Sequence, residues 1–290
     1  MLFDGQDVTA RDTGARNMAQ VFQVPVIYRS MTVGENLAFP LICRRVPQAA
    51  INRRVADIAE MLGLSAKLKT PANKLTSDQK QLISLGRGLV RDDVSAILLD
   101  EPLRLIDPQM KFELRRILKQ INAATRLTMV LVTHDQNEAM TFARTIVVMN
   151  HGRVVQSGDP QTLFERPATD YVGHFIGSPP MNFLPARLDG GLARVPGLGL
   201  SAPAPAGLAD EALTLGFRPE HVAAGGAGQP LAGIVTRLWF EGLDQVAEVQ
   251  SGEQRFRARL SDGAVQAGAA ITLRLPEDRI RLYQHGRLVA

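Results

Sequence analysis

The sequence contains a single cysteine, Cys43, so no internal disulfide can form and the chain fits a reducing compartment. Aromatic residues make up only 5% of it, too few to build the stacking platforms on which single-stranded bases lie. Apolar runs end at about six residues, far short of the ~20 needed for a helix to cross a bilayer. The first residues, Met1 to Asp7, have neither the basic nor the apolar stretch of a signal peptide. Lysine is absent after Lys119, and no glycine directly precedes any lysine. The motif G-x-x-x-x-G-K-[ST], whose backbone amides and lysine cradle phosphates, therefore does not occur.

What is present suits a globular protein. The chain has 290 residues, 45% hydrophobic and 21% charged, with a net charge of +4. That length buries a sizeable core and predicts two domains. The cations are scattered, which reads as solubility, with a weak option on anionic partners. From Phe183 onward all cations except histidine are arginine, matched by as many acids, which places a composition boundary near 180.

Periodicity gives the elements. Ile51, Val55, Ile58, Ala59 and Leu62 mark a helix that Gly63 stops. Leu82, Leu85 and Leu89 continue the pattern on a helix that begins near Leu75. Ser95–Asp100 and Leu127–Thr133 read as buried strands, with a helix over about 108–123 between them. Asp135 caps a helix to about 143, and Ile146–Met149 is a further strand before the turn Asn150-His151-Gly152. Strands Leu2-Phe3 and Met18–Phe22 flank an Asp4-Gly5 turn. This alternation predicts an α/β layer with a parallel sheet. Beyond Gly177-Ser178-Pro179-Pro180, short strands alternate with glycine-rich breaks and predict a small all-β domain; residues 200–210 read as a flexible Pro/Ala-rich insertion.

The chemistry gathers at strand ends. Asp100 closes an apolar strand, where open α/β sheets place ligands, and a carboxylate there can hold Mg²⁺ directly or through water. Glu101 can orient or deprotonate an attacking water. Alone, this dipeptide is equally a polar exit from a sheet. His134, after the next strand, can bond a terminal phosphate oxygen or be structural, and its placement beside Asp100-Glu101 favours the former. Gln23 follows a third strand and can reach a metal or water, or be a loop residue. Asp107 precedes Pro108 and is a natural helix N-cap.

Together these segments resemble the ATP-binding subunits of ABC transporters. Gln23 matches the Q-loop, and Leu75-Thr76-Ser77-Asp78-Gln79-Lys80 stands where that family has L-S-G-G-Q. Leu98-Leu99-Asp100-Glu101-Pro102 matches Walker B with the catalytic glutamate, Leu105-Ile106-Asp107 the D-loop, and His134 the switch histidine. Leu215-Gly216-Phe217-Arg218-Pro219-Glu220-His221 resembles the β-rich C-terminal domain of carbohydrate importers. Residues 21–28 and 79–91 resemble a glycerol-type importer subunit.

The resemblance implies a P-loop NTPase domain over 1–178, lacking its N-terminal part, with a helical subdomain at about 28–92. A barrel-like TOBE/OB-like domain would follow at 179–290. It implies ATP and Mg²⁺ as cofactors, Asp100 and Gln23 at the metal, Glu101 and His134 in catalysis, and Gln23, Thr76, Ser77, Asp78, Gln79 and Asp107 at nucleotide. It further implies a second ATPase subunit, transmembrane permease subunits docking on 23–41, a periplasmic binding protein acting indirectly, no nucleic acid, and a peripheral place on the cytoplasmic face of the inner membrane. A core helix under a lid is the other reading of Tyr28–Leu41.

Two departures stand out. Ser77 and Asp78 replace the two glycines of the signature, and Asp78 brings a negative charge toward phosphate. The phosphate-cradling segment is missing, so the chain by itself is expected not to hydrolyse ATP. It is also expected to be poorly stable, with apolar faces exposed on the strands at 95–100 and 127–133. The alternatives are a truncated subunit that docks or regulates without turnover, and a nucleic-acid ABC ATPase. The latter would carry coiled-coil insertions, zinc-site cysteine pairs or a second ATPase domain, none of which this sequence contains.

Overall fold

The computed structural model describes residues 2–3, 5–261, 263 and 265–289. It divides into two compact units, Met1–Phe142 and Ala143–Ala290.

The first unit runs β1 (Leu2–Phe3), β2 (Gln6–Asp7), β3 (Met18–Val21), α1 (Val33–Ile42), α2 (Gln48–Met61), α3 (Ser77–Leu89), β4 (Ala96–Asp100), α4 (Pro108–Thr125), β5 (Thr128–Val132) and α5 (Gln136–Phe142). β1 and β2 form an antiparallel hairpin; Asp4 of the expected turn lies outside the described residues. α2 buries Ile51, Val55, Ile58 and Ala59, the face its 3.6-residue period predicts. It ends where Gly63 adopts φ +66°, a left-handed cap that any side chain would strain. α1, α2 and α3 pack on one another and share a core with β3 and β4.

β3, β4 and β5 form a parallel sheet in the order β3-β4-β5. The register pairs Val21 with Leu99 and Leu99 with Leu131, so the three chains leave the sheet at one edge. Central β4 is buried, with Ile97 and Leu99 fully so. β5 departs from the expected buried strand: Val130 is 46% and Val132 54% exposed. It is the outer strand, and among the described residues no further strand pairs with its free side. The exposure expected on both strands thus falls on β5 alone.

The second unit begins with β6 (Ile146–Asn150), β7 (Arg153–Gly158), α6 (Pro160–Glu165) and α7 (Asp170–Phe175). Ile146–Met149 was expected to extend the parallel alternation; instead β6 pairs antiparallel with β7. His151 and Gly152 both take positive φ, the geometry of a tight hairpin turn, and this local closure supplies β6 with its partner.

The β-rich part comprises β8 (Asn182–Asp189), β9 (Leu192–Arg194), β10 (Ser201–Pro203), β11 (Leu213–Phe217), β12 (Gln229–Glu241), β13 (Asp244–Ser251), β14 (Gln254–Ser261), β15 (Ala270–Leu275), β16 (Arg281–Gln284) and β17 (Arg287–Leu288). One sheet has the order β10-β9-β8-β11-β16-β17 and the other β14-β13-β12-β15. Leu184, Leu215, Phe217 and Leu282 of the first meet Val235, Val249, Phe256 and Leu273 of the second in one core. Part of the expected flexible insertion at 200–210 is ordered, because Ser201–Pro203 pairs with β9 as an edge strand.

The composition boundary near 180 lies inside this unit, because two buried side chains tie α6 and α7 to the sheets. Arg218 donates from Nε to Phe164 O at 3.0 Å and from Nη1 to Gly173 O at 3.1 Å and to Ile176 O. Its guanidinium lies 4.3 Å from the Phe164 ring centroid. Burial lowers its pKa to about 10. Gly177, at φ +104°, keeps the space open, since a Cβ there would stand 2.5 Å from Arg218 Nη1. The Tyr283 hydroxyl donates to Pro167 O at 2.9 Å, and burial raises its pKa.

Candidate nucleotide-hydrolysis site

Each strand of the parallel sheet delivers candidate residues to the same edge. Gln23 lies two residues beyond β3, Asp100 ends β4 with Glu101 directly after it, and His134 lies two residues beyond β5. The edge is built from backbone first. Glu101 takes φ +43°, an uncommon conformation for a residue with a side chain, and its amide donates to Val132 O at 2.9 Å. That bond turns the chain out of β4 and brings the carboxylate toward the end of β5.

There His134 Nε2 meets Glu101 Oε1 at 2.8 Å, while Arg104 Nη1 lies 3.2 Å from Glu101 Oε2. Both carboxylate oxygens are thus engaged. Arg104 was not singled out from the sequence: it is a charged residue three positions on, and only the turn after β4 brings it back.

The turn that carries His134 is fixed from beneath. Asp135 accepts from the amides of Asn137 at 2.8 Å and Glu138 at 3.2 Å, capping α5 as expected. Glu138, only 3% exposed, accepts from the Thr133 hydroxyl at 2.8 Å and faces Lys111 Nζ at 3.2 Å. Sequence reading missed Glu138, because an acid in the first turn of a helix is ordinarily a solvated one.

Asp107 caps α4, accepting from the amides of Gln109 at 2.9 Å and Met110 at 3.3 Å. Thr76 caps α3; its amide donates to Gln79 Oε1 at 3.4 Å, and its hydroxyl donates to the Asp78 carboxylate. That hydroxyl bond outweighs slight burial and holds the Asp78 carboxyl below its usual range. Thr76 and Ser77 are exposed, whereas Asp78 and Gln79 are half-buried.

Gln81, also missed, is 2% exposed and lies inside α3. Its Nε2 donates to Phe22 O at 3.1 Å and to Pro102 O at 3.0 Å, the carbonyls that flank Gln23 and Glu101.

The donors at this edge fit Mg²⁺. Among the described residues no three His, Cys, Asp or Glu side chains gather into a cage. Mg²⁺ binds instead through one or two protein oxygens, with waters and phosphates completing its octahedron. Exposed Asp100 at the end of β4, with Gln23 beyond the neighbouring strand, could supply that sparse set.

The chain is similar to known proteins. Residues 177–222 match the MalK OB fold domain and residues 215–282 the TOBE domain. The chain is 40% identical to the sn-glycerol-3-phosphate import ATP-binding protein UgpC of Cereibacter sphaeroides, over 89% of this chain and 71% of that protein. To the protein of that name from Salmonella typhi it is 37% identical, over 97% of this chain and 80% of that one. The chain belongs to the UgpC-like ATP-binding subunits of ABC transporters. Its fold is also that of cbiO1 from Clostridium perfringens, part of the ABC transporter complex cbiONQ, with a TM-score of 0.52 at 24% identity, covering 57% of this chain and 67% of that one.

Within this ABC subunit, the structure brings Glu101 and His134 into contact and sets Asp100 and Gln23 at the same sheet edge. Asp107 and Thr76 have helix-capping contacts of their own. α1 buries Val33, Asn36, Leu37 and Leu41, so the core-helix reading holds for that part of 23–41. Asn36 binds the backbone of Tyr28 in both directions, at 2.8 and 3.0 Å. The preceding loop leaves Val24, Val26 and Tyr28 exposed. No helix among the described residues is long and apolar enough to cross a membrane.

Proposed function

We propose that this subunit couples ATP hydrolysis to import of a polyol or sugar, with a glycerol-like substrate. The observation that carries the reading is the Glu101–His134 contact at 2.8 Å on the edge that also holds Asp100. Glu101 would take the proton of an attacking water, and His134 would hold both that carboxylate and the terminal phosphate in register. Asp100 and Gln23 would face Mg²⁺, whose charge offsets that of the phosphates. The names of the relatives, which specify sn-glycerol-3-phosphate import, support the substrate class.

The signature stretch Thr76–Gln79, at the start of α3, would cap ATP held by a second ATPase subunit. Asp78 makes that the weaker of two sites, which suits an asymmetric pair. Exposed Val24, Val26 and Tyr28 offer the permease subunits an apolar strip beside Gln23. The subunit would then sit peripherally on the cytoplasmic face of the inner membrane, with a periplasmic binding protein acting through the permeases.

The test is Glu101→Gln in the complex with its second ATPase subunit and permeases. Turnover should fall at least 100-fold with nucleotide binding retained. Unchanged turnover would remove the assignment. Uptake of labelled glycerol against sn-glycerol-3-phosphate, in cells with and without the subunit, decides the substrate.

A further inference from the structure

We infer that Gln81 is a positioning residue that joins the loop at Gln23 to the turn at Glu101 through one amide group. The inference rests on the hydrolytic reading above. A glutamine side chain has two N–H donors on its nitrogen, and here both are spent on backbone carbonyls of two separate loops. One is Phe22 O, immediately before Gln23; the other is Pro102 O, immediately after Glu101. The two anchor points lie 59 and 21 residues away along the chain, so no local turn requires the bond.

The other end of the amide identifies the purpose of the group. Gln81 Oε1 is buried with no hydrogen-bond partner among the described residues. A glutamine kept only to satisfy a polar core would use both ends, and one kept only to fill space would be better replaced by methionine or leucine. Turning the amide over would set Oε1 against two carbonyl oxygens, so the donors are committed to the loops. The residue stays in place at the cost of an unsatisfied acceptor.

The bond also completes the hold on Glu101. That residue sits at positive φ, a conformation that persists only where the surroundings over-determine it. Val132 O takes the Glu101 amide on one side, and Gln81 takes the Pro102 carbonyl on the other. Displacement of the Gln23 loop, on which the exposed strip Val24–Tyr28 lies, therefore pulls on the same amide that steadies the turn of the catalytic carboxylate. Because α3 begins at the signature stretch, Gln81 reports to both loops from the helix that would face a second subunit.

The experiment is Gln81→Met, which keeps the volume and removes both donors, with Gln81→Glu as a second variant of the same shape. Amide hydrogen exchange on the full chain should quicken at least tenfold at residues 22–24 and at 101, 103 and 104, with α3 unchanged. Exchange that is unaltered at both loops, or raised evenly along α3, overturns the bridge. In the complex, kcat for ATP should fall at least tenfold with KM changed less than twofold; an unchanged kcat overturns the positioning role. Should Glu101→Gln leave turnover intact, the hydrolytic reading fails, and the exchange measurement still decides whether the bridge exists.

Discussion

The imidazole of His134 is 89% exposed, yet it meets a Glu101 carboxylate that is only 12% exposed, at 2.8 Å. The contact therefore joins a solvent-exposed ring to a shielded carboxylate. Glu101 is held by its backbone and by Arg104, whereas His134 is held by this contact and by the turn below it.

From that asymmetry, His134→Ala should leave stability within about 0.5 kcal/mol of the parent, as exposed positions do. In the assembled transporter the same variant should lower ATP turnover at least tenfold. Thermal unfolding and a phosphate-release assay on the two proteins check the pair of outcomes.

Glu138 carries the opposite expectation. Its replacement by alanine leaves Lys111 and the Thr133 hydroxyl facing a buried gap, and should destabilise the first unit by about 2–4 kcal/mol. Lys111→Met together with Glu138→Leu should recover much of that loss, because removing both partners leaves no charge stranded. Urea titration of the single and double variants measures the difference.

Asp78 governs a pH effect. Its folded pKa lies below the unfolded value near 3.8, chiefly through the Thr76 hydroxyl. The stability it contributes is present above the unfolded pKa and is lost as pH falls through the folded one. Asp78→Gly should therefore flatten the stability profile below about pH 4. At neutral pH it should strengthen nucleotide-dependent pairing with the second ATPase subunit. Stability equal to the parent's at every acidic pH, or weaker pairing, would contradict this account.

Arg218 is the test of the second unit. Arg218→Met keeps much of the volume but removes the guanidinium over Phe164 and leaves the carbonyls of Phe164, Gly173 and Ile176 without their donor. The expected loss is about 2–4 kcal/mol, read from the unfolding transition of that unit.

The legible parts of the sequence were those set by local chemistry. The face of α2, the Asp107-Pro108 start of α4 and the hairpin turn at His151-Gly152 all follow from residues close together in the chain. Partnership across the sheet was not legible. The apolar run of β5 reads as buried, but a strand's burial depends on what lies on both its sides, and β5 is the outer one. β6 has the same appearance and pairs with its own neighbour. Gln81, Glu138 and Arg104 escaped for a related reason: a polar side chain declares its partner only when the fold has brought the partner to it.

Glu101 holds a backbone conformation that glycine would adopt without penalty and glutamate adopts at about 1 kcal/mol. Glu101→Gly should thus relieve the turn while deleting the carboxylate proposed to act on water. A search for heat-resistant variants and a search for working transporters would rank position 101 in opposite orders. Persistence of a glutamate at this turn is accordingly a signature of selection for turnover, readable in any population of variants without measuring ATP at all.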